Sequence, residues 1–349
     1  MKLAIIFNAG GLGDATMTFP LFFSLKEFFN SKNLTIDIYT HLPSLYQLFE
    51  KELPITIVKV SDLYYSSPFK DYFLLRKRRY DYLINLVIGR KALIHTFIIR
   101  SKRKIFYISI NKKRINILFP FLKNYSCNEP SFYKYKKITE AFLERKVLWQ
   151  YPLLKCSPSH YNFNKVKLTL LKHNNIVFIN PFVKETLRKV PMEFFINLIK
   201  ILRKKNFYPV LIGGKDAIPL SQKIAKNVEV TNLVGKFSIQ EFICILNLGY
   251  AFITPDSGPL HLSLLSNIKK VIPIFTFVKP IWRIPAHYIN NKVFPIFLYE
   301  ELIKKREFIS SCWTEKDQKV ASKFYSELVQ AVIKQPTLLI DKILEYLEY

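Results

Sequence analysis

Ten short runs of branched and aromatic residues, separated by segments that can hold a helix, restrict this 349-residue chain to few architectures. The first half has LAIIF (3–7), TIDIYT (35–40), ITIVKV (55–60), DYLINLVI (81–88) and KIFYISI (104–110). The second half has NIVFIN (175–180), PVLIGG (209–214), EVTNLVG (229–235), YAFITP (250–255) and VIPIFT (271–276). Such continuous apolar runs suit strands buried on both faces, and their alternation with helical segments predicts parallel sheets covered by helices. The rhythm runs twice, so two α/β, Rossmann-like domains are expected, facing each other across a cleft, with ligands at the carboxyl ends of the strands. A polar stretch from Lys155 to Asn174 is read as the linker, giving domains 1–165 and 166–320. Helices predicted over about 318–334 and 336–348 form a C-terminal segment, 321–349, expected to pack back across the pair. Leu21, Phe22, Leu25, Phe28 and Phe29 share one face of a predicted helix whose first turn takes Pro20.

Charge narrows the partners. The chain has 53 Lys and Arg against 26 Asp and Glu, a formal net charge of +27. Residues 1–165 hold 27 basic and 11 acidic side chains, and Arg76 to Arg114 holds 13 basic residues opposed only by Asp81. Either this is a solvated basic face and nothing more, or it serves an anionic partner: a nucleic acid, a membrane surface or a phosphorylated substrate. No helix-turn-helix, zinc or RNA-binding signature supports a nucleic acid. Long apolar stretches are cut by Glu241, Asp256 or Lys269 before membrane-spanning length, and the apolar run Leu3–Phe7 is too short for a signal-peptide core. A cytoplasmic protein is expected, peripheral on the inner leaflet. Cys127, Cys156, Cys244 and Cys312 form no CxxC pair, so buried free thiols are expected and no zinc site.

Four clusters at predicted strand ends carry chemistry. In FNAGGLGDATMTFP (7–20), Gly11-Leu12-Gly13 supplies GxG, but Thr16 stands where a dinucleotide fingerprint has its third glycine. The turn either needs only glycine's freedom at positive φ, or it uses Gly11 and Gly13 to admit substrate while Asp14 projects as a general base. In ITPDSGPLHLSLLS (253–266) a strand end meets a helix start; Ser257, Gly258 and His261 suit a phosphate, and Asp256 suits sugar hydroxyls. In NPFVKETLRKVP (180–191), Lys184, Arg188 and Lys189 are placed to neutralise a diphosphate leaving group, unless they form only a basic surface. In LIGGKDA (211–217), Asp216 or Lys215 is placed for a ribose hydroxyl.

These pieces, in this order, resemble the bacterial lipopolysaccharide heptosyltransferases, glycosyltransferase family 9, of GT-B fold. Leu12, Gly13, Asp14, Thr18 and Pro20 match a family motif LGDxxxTxP. Asp256, Ser257, Gly258 and His261 match D-[ST]-G-x-x-H, and Arg188-Lys189-Val190-Pro191 stands where the family has K-x-W-P. Thr276-Phe277-Val278-Lys279 replaces the family's usual Gly-Pro-Thr before Pro280. The resemblance implies inverting, metal-independent transfer of heptose from ADP-heptose to a sugar hydroxyl of the lipopolysaccharide inner core, with no cofactor. By position Asp14 would be the base, Arg188 with Lys189 would hold the diphosphate, Ser257, Gly258 and His261 would bind ADP, and Asp256 the donor sugar. The acceptor would be an anionic lipid-linked oligosaccharide. Basic clusters such as Arg76–Arg79 or Arg100–Lys104 would hold the membrane, helped by Tyr80, Tyr82, Phe97, Phe106 and Tyr107, although strand packing accounts for most of these rings. The alternatives are a transferase of another nucleotide-sugar in surface glycan synthesis and a GT-B-type nucleotide-sugar epimerase.

Overall fold

Two all-parallel sheets organise the chain. The computed structural model describes residues 1–29, 34–87, 90–106, 130–156, 161–303 and 315–348. The first sheet has β1 (Lys2–Phe7), β2 (Thr35–Thr40), β3 (Ile55–Lys59), β4 (Arg79–Asn85) and β5 (Arg100–Phe106) in the order β3-β2-β1-β4-β5. The second has β6 (Ile176–Ile179), β7 (Tyr208–Leu211), β8 (Thr231–Asn232), β9 (Ala251–Pro255), β10 (Lys270–Phe275) and β11 (Ile296–Phe297), ordered β11-β10-β9-β6-β7-β8. In each sheet the first strand lies at the centre and the winding reverses beside it, between β1 and β4 and between β6 and β9. Such switch points are where open α/β sheets bind ligands.

The central strands behave as the apolar runs dictate: β6 and β9 are buried along their whole length, and β1 from Leu3 onward. Edge strand β3 matches the expected 55–60 run, but β5 and β8 depart from the sequence reading. β5 begins at Arg100, earlier than expected, because an edge strand tolerates exposed charge on its backbone; residues 107–110 of the expected run lie outside the described residues. The expected 229–235 strand shrinks to Thr231–Asn232, a half-buried edge.

Helices α1 (Leu12–Thr16), α2 (Phe19–Phe29), α3 (Pro43–Tyr46), α4 (Tyr72–Arg76), α5 (Arg90–Ile98) and α6 (Tyr133–Leu143) belong to the first unit, Met1–Pro152. The second unit, Leu153–Tyr349, has α7 (Tyr161–Leu170), α8 (Met192–Lys204), α9 (Ile218–Asn227), α10 (Ile239–Leu246), α11 (Gly258–Ser263), α12 (Glu315–Lys334) and α13 (Pro336–Glu348). The division falls earlier than the expected boundary at 165, and residues 161–170, expected within a linker, form a helix. Phe28, expected on the buried face of α2, is exposed with the Arg145 guanidinium over its ring, because the helix outruns its core by its last turn. In the C-terminal segment, Phe324 and Leu328 of α12 and Ile340 and Ile343 of α13 join the core of the second unit with Phe195, Leu198 and Ile272.

The expectation of free thiols fails for one pair. Cys156 and Cys244 are joined by a disulfide across 88 residues of sequence, tying the start of the second unit to α10. Sequence spacing gives no signal for a bridge whose partners meet only through the fold. Cys127 and Cys312 lie outside the described residues. No helix among the described residues is long and apolar enough to cross a membrane.

Candidate active site

At the first switch point the chain leaves β1 through Asn8 to Gly11 and enters α1. Gly10 has φ +110°, and a Cβ there would lie 3.3–3.5 Å from the Phe7 ring and the Asp14 side chain. The positive φ expected of this turn is therefore found at Gly10; Gly11 is extended, with φ −84°. The Gly11 N–H donates to Asp14 Oδ2 at 3.2 Å, so the carboxylate turns back over the helix start and is held there by backbone. Asp14 itself is half-buried, within reach of solvent.

Two features around it were not legible in the sequence. His41, just past β2, donates from Nε2 to the Gly10 carbonyl at 3.1 Å and lies 3.5 Å from Asp62 Oδ2. It thereby couples the glycine turn to the loop after β3. Tyr64, on that loop, is mostly exposed, yet its phenol is held above the usual range, first by local desolvation and then by the Asp14 and Asp62 charges. The only sequence signal for His41 is a polar ring at a predicted strand end.

At the second switch point, β9 delivers Asp256, whose N–H donates to the Ile274 carbonyl of β10 at 3.2 Å. Its carboxylate is almost fully buried. Arg188 Nη1 lies 3.4 Å and Arg283 Nε 3.7 Å from Asp256 Oδ2, ion-pair distances beyond good hydrogen bonds. Thus Asp256, expected to face a sugar, has its carboxylate against two guanidinium groups, and the three side chains carry one net positive charge. Arg188 sits at the end of a 3₁₀ turn, Thr186–Arg188. Thr276 Oγ1 donates to the Leu187 carbonyl at 2.8 Å, so the residue standing in place of a family glycine pins that turn.

Asn180, buried at the end of β6, ties the same loops together. Its Nδ2 donates to Thr254 Oγ1 at 3.0 Å, to the Phe182 carbonyl at 3.1 Å and to Ser257 Oγ at 3.4 Å. A Cβ on Gly213 would come within 2.9 Å of Asn180 Oδ1, so the second glycine-containing strand end serves close packing around this amide. Ser257 is the residue preceding α11, Gly258 opens that helix, and His261 lies buried within it. Asn180 and Arg283 were missed by sequence reasoning; a buried arginine in the apolar run FTFVKPIWRIPAH is the signal that could have found the second.

Lys189 and Asp216 line one cavity of about 580 Å³, with Phe182, Met192, Leu220 and Tyr325 among its walls. Lys184 and Lys215 are exposed on the adjoining loops. The structure thus gathers Arg188, Asp256, Ser257, Gly258 and His261 around one strand-end cluster, and Lys189 with Asp216 around a cavity beside it. Asp14, Gly11 and Gly13 form the separate cluster of the first unit.

Residues 74–294 match the family model of Glycosyltransferase family 9 (heptosyltransferase). Three solved structures share the fold. The glycosyl transferase family 9 protein from Veillonella parvula DSM 2008 superposes with a TM-score of 0.66 at 15% identity, over 96% of this chain and 97% of that one. The ADP-heptose lipopolysaccharide heptosyltransferase II of E. coli gives 0.63 at 14%, over 95% and 99%. E. coli heptosyltransferase WaaC with ADP gives 0.58 at 13%, over 85% and 93%. No curated protein sequence matches the chain.

Proposed function

Because this chain belongs to glycosyltransferase family 9 and has the GT-B fold, we propose that it transfers heptose from ADP-heptose to a sugar hydroxyl of the lipopolysaccharide inner core, with inversion. The observation that carries the reading is the contrast at the two switch points. One presents the half-buried carboxylate of Asp14, and the other gathers two arginines on one buried carboxylate with net positive charge. A base is wanted where the acceptor loses its proton, and fixed positive charge where a diphosphate leaves.

In the proposed reaction the acceptor O–H gives its proton to Asp14 as its oxygen bonds to the anomeric carbon. The bond from that carbon to the diphosphate oxygen breaks in the same displacement, its electrons leaving with ADP, so the configuration inverts. Arg188, with Lys189 beside it, offsets the growing charge on the leaving group. Asp256 holds Arg188 and Arg283 in place and borders the donor sugar. Ser257, Gly258 and His261 take the nucleotide phosphates, and Asp216, in the cavity with Lys189, takes the ribose. The reading extends to an anionic lipid-linked acceptor and a place on the inner face of the inner membrane.

One observation favours a second reading on donor identity. Thr276, Phe277 and Val278, standing where the resemblance expects Gly-Pro-Thr, are buried, and Thr276 is tied to the Arg188 turn through the Leu187 carbonyl. A different nucleotide-sugar would fit such a change. Calorimetric titration of ADP-heptose, UDP-sugars and GDP-sugars into wild type and His261→Ala decides between them. Selective ADP-heptose binding, weakened by the substitution, supports the first reading; preference for another nucleotide reassigns the donor; no nucleotide binding sinks both. Turnover of donor without acceptor would point to an epimerase.

A further inference from the structure

The loop after β3 is firmly built, yet it turns its aromatic side chains into water. Phe73 is 88% exposed and Tyr65 85%, and Tyr64, Phe69 and Leu74 are exposed beside them in sequence. This is the densest group of exposed large apolar side chains among the described residues. Single exposed hydrophobics are ordinary; a group of five within eleven residues marks a contact surface.

The exposure is enforced by hydrogen bonds from the unit beneath. Leu63 N–H donates to the Asn8 carbonyl at 2.9 Å, and Ser61 N–H donates to Asp71 Oδ2 at 2.8 Å. Lys91 Nζ donates to the carbonyls of Leu63 and Ser66, and His95 Nε2 donates to the Pro68 carbonyl at 2.7 Å. Leu63 and Leu75 are the buried anchors at either end. In α4, only Leu75 is buried while Phe73, Leu74 and Arg76 are exposed, so the short helix presents its apolar side outward.

Charge chooses the partner. Lys70, Arg76, Lys77 and Arg79 are exposed and adjoin these rings in sequence, while Arg78 is committed to Asp37 at 2.6 Å. Aromatic rings flanked by Lys and Arg are the composition of surfaces that sit at the headgroup level of an anionic bilayer. By contrast, Tyr80 and Phe106, rings open on sequence to membrane contact or strand packing, are buried in the sheet, and Tyr107 lies outside the described residues. The loop also adjoins the proposed base: His41 bridges the Gly10 carbonyl and Asp62, directly ahead of Tyr64.

We infer that residues 64–79 form a docking surface for an anionic lipid bilayer, setting the membrane beside the Asp14 turn. The inference rests on the proposed function only for its purpose, delivery of a lipid-linked acceptor; the surface itself rests on exposure, anchoring and charge.

Flotation of the full chain with phosphatidylcholine vesicles, with and without phosphatidylglycerol, tests it in the absence of donor and acceptor. Wild type is expected to float only with the anionic vesicles and to be released by salt. Phe69→Ser with Phe73→Ser, and Arg76→Gln with Lys77→Gln and Arg79→Gln, should each lower partitioning by on the order of tenfold or more. Their melting temperatures should change little, because these side chains are largely exposed, Phe73 meeting the Tyr72 ring edge-on and Arg76 lying over it. In a second measurement, Phe73→Trp should blue-shift its emission on adding anionic vesicles. Equal flotation with neutral vesicles, variants that float like wild type, or a dimer that disappears with the Phe pair would each overturn the proposal. Donor calorimetry on the same variants separates the two ideas: lost flotation with donor binding intact leaves the catalytic reading standing, and the converse result leaves the docking surface standing.

Discussion

The two switch points occupy equivalent places in similarly wound sheets, and they are built in opposite ways. The first holds one carboxylate near solvent, positioned by a backbone N–H and a glycine at positive φ. The second buries the Asp256 carboxylate and sets against it side chains from two other loops, those of Arg188 and Arg283. A group that must exchange a proton with substrate needs access and one lightly held position. Groups that must present fixed charge gain from burial, where the field is stronger and already oriented. The difference teaches that one fold can place a reactive and a static charge at the same topological address by changing only what surrounds it.

The sharpest way to break this comparison is Asp14→Asn, which keeps the shape and removes the base. Transfer should fall by about 10²- to 10⁴-fold while donor affinity is unchanged, measured by sugar transfer and calorimetry. A comparable loss of donor affinity would show that the two clusters do not divide the work. The next effect belongs to the other side. Arg283→Met takes one of two guanidinium groups from Asp256 and cancels the net positive charge of the three. Donor affinity should weaken by about 10- to 100-fold, the worth of one charge-assisted hydrogen bond, with partial recovery in Arg283→Lys. Unaltered affinity in both would make Arg283 a structural partner of Asp256 alone.

The same contrast explains what the sequence revealed. Asp14, Arg188, Asp216 and Asp256 were legible because each ends or follows an apolar run, and strand ends are where such sheets act. The central strands and the two last helices were legible for the same reason, their periodicity being set by burial; the helix at 336–348 matches its expected span. Of the edge strands β3 was legible at its expected place, but β5 and β8 were not, since part of their surface answers to water, and β5 hides its start in charged residues. His41, Asn180 and Arg283 escaped because what they touch is distant in sequence: Asn180 meets Thr254, and Arg283 meets Asp256 only after the loop following β10 has folded. The Cys156–Cys244 bridge escaped for that reason too.

The bridge offers a third test, now of stability. It lies within the second unit, so Cys244→Ser, or a reductant, should destabilise that unit by about 2–4 kcal/mol through the freed unfolded chain. Calorimetry should show the second unit's unfolding moving down while the first unit's is unmoved. If both move together, the two units unfold as one cooperative body and the comparison must be drawn between loops rather than units.

The smallest effect belongs to the first unit and depends on pH. His95 is buried in α5, and the carbonyl of Pro68 can only accept, so Nε2 carries the proton and Nδ1 accepts from Asn8 Nδ2 at 2.9 Å. Burial holds the imidazole below its usual range, against the opposing pull of the Pro68 carbonyl and the Asp71 charge. The folded state therefore binds the proton less readily than the unfolded chain. The stabilisation is fully present above the unfolded value, about 6.5, and is lost progressively as pH falls below it. Protonation would set a donor at Nδ1 against the Asn8 amide, which must then turn over so that Oδ1, buried and without a hydrogen bond among the described residues, becomes the acceptor. Since His95 also holds the Pro68 carbonyl, mild acid should first raise hydrogen exchange at residues 61–71, before the second unit responds. His95→Gln should remove that dependence at a constant cost in stability. Acid-induced exchange that persists in the variant would place the sensitive group elsewhere, with Asp62 and Asp71 the next to test.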